Sequence, residues 1–583
     1  MTRTVADDLV EILVASGVTH IYGLVGDSLN AFSDAIRRSG GSAAGGIDWV
    51  HVHHEEGAAF AASAEAQLTG RLAVCAGSCG PGNTHLIQGV MDAHRSSAPV
   101  LVLASHIPSA NIGTGFFQET KPDQLFSQAS HYCETVSQPA QLARLTHLAV
   151  QNALGLGGAA VLVIPGDVLE ADASGDLHPN ATVSTRPRPA PEPDSVAELA
   201  RRIDEATKVA IFAGIGAASA REEVLQLAAL LHAPVGTTFR GKETFGYDNP
   251  YDVGMTGLLG YGACYEALQE ADLVLLLGTD FPYVDFLPTA NNVQVDRDPA
   301  HLGRRAPIVQ GIAADVGLTL QALLPLITPE RKHAFLDDML ERNATLIRHG
   351  VHTYDHDPDE RRPIHPELLA ALVDEAAADD AVFTVDTGMD CTWAARYLQP
   401  NGRRRMIGSW VHGSMANALP MAVGAQIAYP GRQVVSLSGD GGLAMLLGEL
   451  LTVKTHRLPV KVVVFNNSSL GMVRLEMLAA GDPPFETDHD HVDYAAIAAG
   501  AGFWARHVED PTALPSAVTA FFAAAGPALL DVVTDPDALS VPTHLTGAEV
   551  KGFASSLTKV ALNGGIREVW DLARSNLRNL PGV

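Results

Sequence analysis

The chain has 583 residues, 47% of them hydrophobic and 18% charged, with 39 basic against 66 acidic side chains and a net charge of −27. That composition excludes a disordered chain, and the excess of acid argues against nucleic acid or an anionic bilayer as the default partner. Length at ~150 residues per domain predicts three or four domains. Five cysteines in so long a chain make no disulfide framework, which fits a reducing, cytoplasmic compartment.

At the N-terminus, Asp7, Asp8 and Glu11 stand where a signal peptide needs an apolar core. Short apolar runs then recur, each closed by glycine or a small polar residue: 98–106, 159–167, 209–216, 271–280, 433–441 and 460–467. They are rich in Val, Ile and Leu without alternation, as parallel strands buried on both faces are. Alanine-rich helical stretches such as 221–233 separate them. The alternation predicts an α/β chain of open parallel sheets, whose ligands bind at the carboxyl ends of the strands. Two polar stretches, 178–195 and 348–367, read as linkers and divide the chain into units at 1–180, 195–345 and 360–535, with a tail at 540–583. No run approaches the ~18–20 apolar residues of a spanning helix.

The segment 438–472 carries the most chemistry. A strand is expected to end at Ser438, Gly439-Asp440-Gly441-Gly442 to turn, and a helix to begin near Leu443. Amide N–H groups at a helix start suit a phosphate, and Asp440 would repel that phosphate unless a cation lay between them. A second strand ends at Asn466-Asn467, 27 positions after Asp440, where an amide oxygen could complete an oxygen-only site of the kind Mg²⁺ prefers. No Lys-Ser/Thr follows the glycines, so this is not a nucleotide P-loop. In the middle unit, Gly214 and Gly216 follow a strand and Asp296 ends another, a weak signal for a dinucleotide.

GDG…NN resembles the fingerprint of the thiamine diphosphate (ThDP) enzymes. GLVGDSLN (23–30), HHEEGAAFAA (53–62), CAGSCGPGN (75–83), GFFQET (115–120), RGKE (240–243), YDVGMTGL (251–258), WAARYL (393–398) and HGSMANA (412–418) are similar to its pyruvate dehydrogenase (quinone), or pyruvate oxidase, branch. The resemblance implies a pyrimidine-binding domain, a central FAD-binding domain and a diphosphate- and Mg²⁺-binding domain. It implies Glu55 as the carboxylate that activates ThDP through the aminopyrimidine, and Gly26, Asp27, Met415, Gly439, Gly441 and Gly442 as ThDP contacts. Asp440, Asn467 and Ser469 would hold the metal, and Phe117, Gln118 and Glu476 would stand near the reacting groups. Arg240, Thr256, Gly257 and Gly278 would join Gly214, Gly216 and Asp296 around FAD. Met472 departs from the phenylalanine of well-known relatives.

The implied reaction is oxidative decarboxylation of pyruvate to acetate, with electrons passing through FAD to a membrane quinone. A phosphate- and O₂-dependent oxidase, an acetolactate synthase-like carboligase and a silent cofactor-binding scaffold are the alternatives. ThDP would bridge two subunits, so a homo-oligomer, a dimer of dimers, is expected. Ile566, Val569, Trp570, Ala573, Leu577 and Leu580 form one helical stripe. Lipid contact through that tail, on the inner face of the cell membrane, is the expectation beside the simpler docked helix.

Overall fold

The computed structural model describes residues 2–174, 186–328, 334–355 and 362–538, together with tail residues 555, 556, 559, 572, 575 and 576. Three six-stranded sheets follow one another along the chain. The first contains β1 (His20–Gly23), β2 (Asp48–His51), β3 (Ala73–Gly77), β4 (Val100–His106), β5 (Tyr132–Thr135) and β6 (Ala159–Pro165). The second contains β7 (Val209–Ala213), β8 (Val235–Thr237), β9 (Asp252–Met255), β10 (Leu273–Leu277), β11 (Asn292–Asp296) and β12 (Ile308–Ala313). The third contains β13 (Val382–Val385), β14 (Arg405–Gly408), β15 (Val434–Gly439), β16 (Lys461–Asn466), β17 (Trp504–Val508) and β18 (Ala528–Val533).

Their orders are 2-1-3-4-6-5, 12-11-10-7-8-9 and 14-13-15-16-18-17, and every strand pairing in the ladders is parallel. The α/β class expected from the apolar runs is what the chain adopts: the strands of those runs are buried from end to end, as in AAVLVIP of β6 and LVLLL of β10, save for Gly439 closing β15. In each sheet the order reverses beside a central pair, β1 and β3, β10 and β7, and β13 and β15; in the first and third sheets the edge strands β5 and β17 also lie outside the strands that follow them. Such reversals open a crevice beyond the strand ends, because the crossovers on either side lead away from each other.

The domains lock through buried polar ties. Lys242 is fully buried, and its Nζ donates to the carbonyls of Ala395 at 2.6 Å and Leu398 at 2.7 Å. Glu243 Oε2 accepts the Met406 N–H at 2.8 Å. Between the first and third domains, Gln88 Nε2 donates to Ser414 Oγ at 2.8 Å and one apolar core runs through both.

The expected tail stripe, Ile566 to Leu580, lies outside the described residues. Those tail positions that are described touch the third domain: Ser556 Oγ donates to Leu478 O and Ser575 Oγ to Asp535 Oδ2. Among the described residues no helix is long and apolar enough to cross a membrane.

Candidate active site

The third-domain crevice holds the GDGG segment. Strand β15 runs through Gly439 and the helix Asp440–Met445 starts at once, three residues before the expected Leu443. Gly441 and Gly442 therefore lie in its first turn, where backbone N–H groups lack helical acceptors. Glycine is needed there: a Cβ on Gly442 would stand 2.3 Å from Asp386 Oδ2, and one on Gly441 would meet Leu470 at 2.8 Å and the Met415 terminal methyl at 3.6 Å. Met415 is thus brought to the turn from the segment before the helix Ala418–Ala428.

Asp440 is buried; its Oδ1 accepts the Gly441 N–H at 2.9 Å and its Oδ2 the Ser468 N–H at 2.6 Å, with His489 Nε2 at 3.2 Å. Ser468 lies between Asn467 and Ser469, so this one hydrogen bond brings the three expected metal residues to the same corner. Asn467 Oδ1 accepts the Ser469 N–H at 3.0 Å, while the Ser469 hydroxyl donates to Asp488. Asn466, by contrast, serves the fold: its amide binds Val492 O and Asp531 Oδ1.

Two acids that sequence reasoning missed face Asp440 from the other side of the crevice. Asp386 follows β13 and Asp390 opens the next helix, Met389–Tyr397. Burial pushes both carboxyls up, and Asp390 is raised further by Asp386 and Asp440. Asp386 Oδ2 and Asp390 Oδ2 are buried without a hydrogen-bond partner. Unpaired buried oxygens beside a third acid are costly unless protons or a cation neutralise them. Carboxylate and amide oxygens are the donors Mg²⁺ takes together with phosphate oxygens, so the residues fit Mg²⁺ and a diphosphate.

In the first domain, Glu55 is the first residue of the helix Glu55–Thr69, capped by the His54 side chain on the Glu56 N–H. Glu55 is 5% exposed, and its Oε2 meets His85 Nδ1 at 2.8 Å. His85 stacks on His54 with ring centres 4.3 Å apart. The Gly80–Gly82 turn supports this carboxylate, for a Cβ on Gly82 would lie 3.1 Å from Glu55 Oε1. Gly26 sits against Ser78 on the same crevice, where Ser28 Oγ accepts the Cys79 N–H at 3.0 Å. Asp27 is exposed and accepts the Ser28 N–H. Gln118, at φ +64°, rests on Gly80, and the neighbouring Phe117 is 78% exposed. His85 and Glu449 also escaped sequence reasoning. Glu449 reaches Gly57 from the third domain, where a Cβ would be 2.8 Å from its carboxyl carbon. Burial, offset in part by Thr452 and by the amides of His54 and His53, pushes its carboxyl up to about 7.

The β10/β7 crevice of the middle domain gathers most of the remaining residues. Gly214, Gly216 and Gly278 pack backbone on backbone: a Cβ at 278, where φ is +59°, would stand 2.4 Å from the Gly216 carbonyl carbon. Thr256 Oγ1 is buried without a partner beside Gly257. Asp296 ends β11, accepts the Asp298 N–H at 2.9 Å and lies 3.2 Å from His301 Nδ1. Arg240 is placed differently: its guanidinium points to Ser96 O of the first domain at 3.4 Å. Close backbone, an orphan hydroxyl and a strand-end acid fit a dinucleotide. Tyr283, near Gly257, is raised by burial and by Cys391 and Glu476. Glu476 is exposed on the helix Gly471–Ala480, and the loop after Gly257 meets the third domain where Arg396 donates to Gly260 O at 3.1 Å.

The family described as thiamine pyrophosphate enzyme matches in three parts: its N-terminal TPP binding domain at residues 3–126, its central domain at 196–323 and its C-terminal TPP binding domain at 386–532. A putative thiamine pyrophosphate-containing protein, YdaP of Bacillus subtilis, is 33% identical over 96% of both chains. The pyruvate oxidase of Lactiplantibacillus plantarum is 30% identical over 91% of this chain and 88% of its own. The acetolactate synthase isozyme 2 large subunit of Escherichia coli is 32% identical over 90% and 95%. With the three crevices placed as they are, the chain belongs to the thiamine pyrophosphate enzyme family.

Proposed function

We propose that this enzyme oxidatively decarboxylates pyruvate to acetate and CO₂ with ThDP, Mg²⁺ and FAD, and delivers the electrons to a membrane quinone. Bound ThDP would supply a carbon nucleophile for the 2-oxo acid and a sink for the electron pair freed as CO₂ leaves, and FAD would supply the two-electron acceptor. Glu55, oriented by His85, would hold and exchange the proton on the aminopyrimidine. Asp440 and Asn467 would hold Mg²⁺, with the Gly441 and Gly442 amides on the diphosphate and Met415 supporting the cofactor from the side. Gly214, Gly216, Gly257, Gly278, Thr256 and Asp296 would hold FAD. Phe117, Gln118 and Glu476 would enclose the substrate until the two electrons have passed to FAD, after which water would enter and release acetate.

The observation that carries the redox reading is the approach of the middle-domain crevice to the third domain: Arg396 donates to Gly260 O at 3.1 Å, and Met255 and Tyr261, on either side of Thr256 and Gly257, pack into the third domain's apolar core. A carboligase can use a flavin for structure alone; an oxidase needs it close to the reacting carbon. The enzyme would act as a dimer of dimers in the cytoplasm, attached to the inner membrane face through its tail. Anaerobic mixing of the reconstituted protein with pyruvate tests the proposal. Flavin bleaching, acetate release and reoxidation by a quinone are expected. Acetyl phosphate as product with reoxidation only when O₂ is then admitted, acetolactate, or an unbleached flavin would each refute it in favour of one alternative.

A further inference from the structure

Segment 488–493 reads Asp-His-Asp-His-Val-Asp. Its first two residues serve the site above, Asp488 on Ser469 and His489 on Asp440. His491 Nδ1 lies 3.5 Å from Ser468 Oγ, at the margin of that site, and its ring also meets a second set of residues. It stands beside His507, near the end of edge strand β17, with ring centres 5.6 Å apart at 64°. Glu509 follows β17, and Asp531 pairs with His507 across the β17–β18 ladder. One ligand atom each from His491, His507 and Glu509 lie within 4.8 Å of one another; a second such group, Asp493, His507 and Asp531, shares His507.

The hydrogen bonds around His507 prepare it as a ligand. Asp531 is fully buried and accepts from Asn466 Nδ2 and the Tyr494 N–H, which holds it in place. Its Oδ2 meets His507 Nδ1 at 2.8 Å. A carboxylate there keeps the proton on Nδ1 and leaves Nε2, 3.3 Å from Glu509 Oε1, as the outward nitrogen. Carboxylate–imidazole pairs of this kind orient the histidines of metal sites and raise their basicity. Burial alone would lower His507, and the bonds to Asp531 and Glu509 outweigh it; a cation would take the place of that extra proton. Two imidazoles and a carboxylate suit Zn²⁺ and its neighbours rather than Mg²⁺, which takes oxygen. The donor set therefore separates this place from the Asp440 corner.

We propose that His491, His507 and Glu509 form a surface site for a borderline divalent cation of the Zn²⁺ class, backed by Asp531. Such an ion ties segment 488–493 to β17. It does not depend on which reaction the enzyme performs.

The test uses the full-length protein, stripped with chelator and returned to excess Mg²⁺ so that the oxygen site stays filled. Zn²⁺ is titrated by calorimetry, metal per chain is measured after desalting, and hydrogen exchange of 488–493 is followed. His491→Asn and Glu509→Gln alter exposed side chains, so the fold is kept. One Zn²⁺ per chain is expected, with exchange in 488–493 slowed. Each variant should weaken binding by more than the roughly ten-fold that loss of a mere outer-shell partner costs, and the double variant should lose the slowed exchange. Zn²⁺ retained equally by wild type and double variant, or by neither, overturns the proposal.

Discussion

Replacing Glu449 by Gln removes one buried charge from the contact between the first and third domains, and the consequence can be worked out with its sign. Burial holds the folded carboxyl at about 7 against an ordinary 4.5. Folded protein therefore binds more protons here than unfolded protein between those values, so this group's contribution makes stability fall as pH rises from about 4.5 to about 7, and is flat outside that window. A difference of about 2.5 pKa units at ~1.36 kcal/mol each amounts to about 3 kcal/mol. Gln keeps the shape and can still accept from the Thr452 hydroxyl, which donates to Glu449 at 2.6 Å. The variant should lie within about 1 kcal/mol of wild type at pH 5 and exceed it by about 3 kcal/mol at pH 8. With ~2.1 cal/mol/K of unfolding entropy per residue, that is about 8 °C if the ~170-residue third domain melts alone and about 2–3 °C if the whole chain melts together. Thermal melts of both proteins from pH 5 to 8.5, at one protein concentration, give the difference curve, in which groups common to both cancel. A difference that stays flat across pH 5–7.5 refutes the assignment of the charge to Glu449.

Glu55→Gln should lower turnover of pyruvate by at least ~10²-fold with an unchanged melting temperature; near wild-type steady-state rates would remove Glu55 from the chemistry. Gly442→Ala places a methyl 2.3 Å from Asp386 Oδ2 and should weaken ThDP binding in the presence of Mg²⁺, read by fluorescence titration; unaltered affinity would show that the first turn of Asp440–Met445 does not carry the diphosphate. Lys242→Met leaves the carbonyls of Ala395 and Leu398 buried without their donor. At about 1–3 kcal/mol for each group left unsatisfied, denaturant midpoints should drop by the equivalent of about 2–6 kcal/mol, and a neutral effect would mean that water replaces the ammonium.

Much of this architecture was legible because buried parallel strands leave an unambiguous trace. Runs such as VKVVVFNN have no polar face, so they announce a strand with a covered sheet on both sides, and β16 occupies it. The helix after GDGG was harder to place: glycines read as a turn in sequence, yet Gly441 and Gly442 lie in the first turn of the helix that Asp440 begins, and Asp386 leaves no room for a side chain at 442. Glu449 was invisible. It lies in an ordinary helical stretch, and only the packing of Glu449–Thr455 against Gly57 makes it a buried acid. His85 gave a partial signal, four residues into the helix that Pro81 begins, but nothing local says that its ring will meet a glutamate thirty positions earlier. In RGKE the residues were visible and their work was not. Lys242 and Glu243 tie domains together, a role set by the neighbouring domain rather than by the motif.

The three crevices also explain why Asp386 and Asp390 could have been found. Each sheet reverses between two strands, so each crevice has two rims, and chemistry on one rim demands complementary chemistry on the other. In the first sheet the rims are the chain after β1, with Gly26 and Asp27, and the chain after β3, with Ser78 to Gly82. In the second they are Gly214 to Gly216 after β7 and Gly278 after β10. In the third, Asp440 forms one rim after β15; the other follows β13, where the apolar run AVFTV closes on Asp-Thr-Gly-Met-Asp, the same pattern of strand, acid and glycine. Pairing the rims brings three buried carboxylates to one crevice, and such a set is tolerable only with protons or a cation among them. The sheet order thus concentrates negative charge where Asp440 and Asn467 already point to Mg²⁺, and the glycines that admit a diphosphate stand where that charge would otherwise repel it.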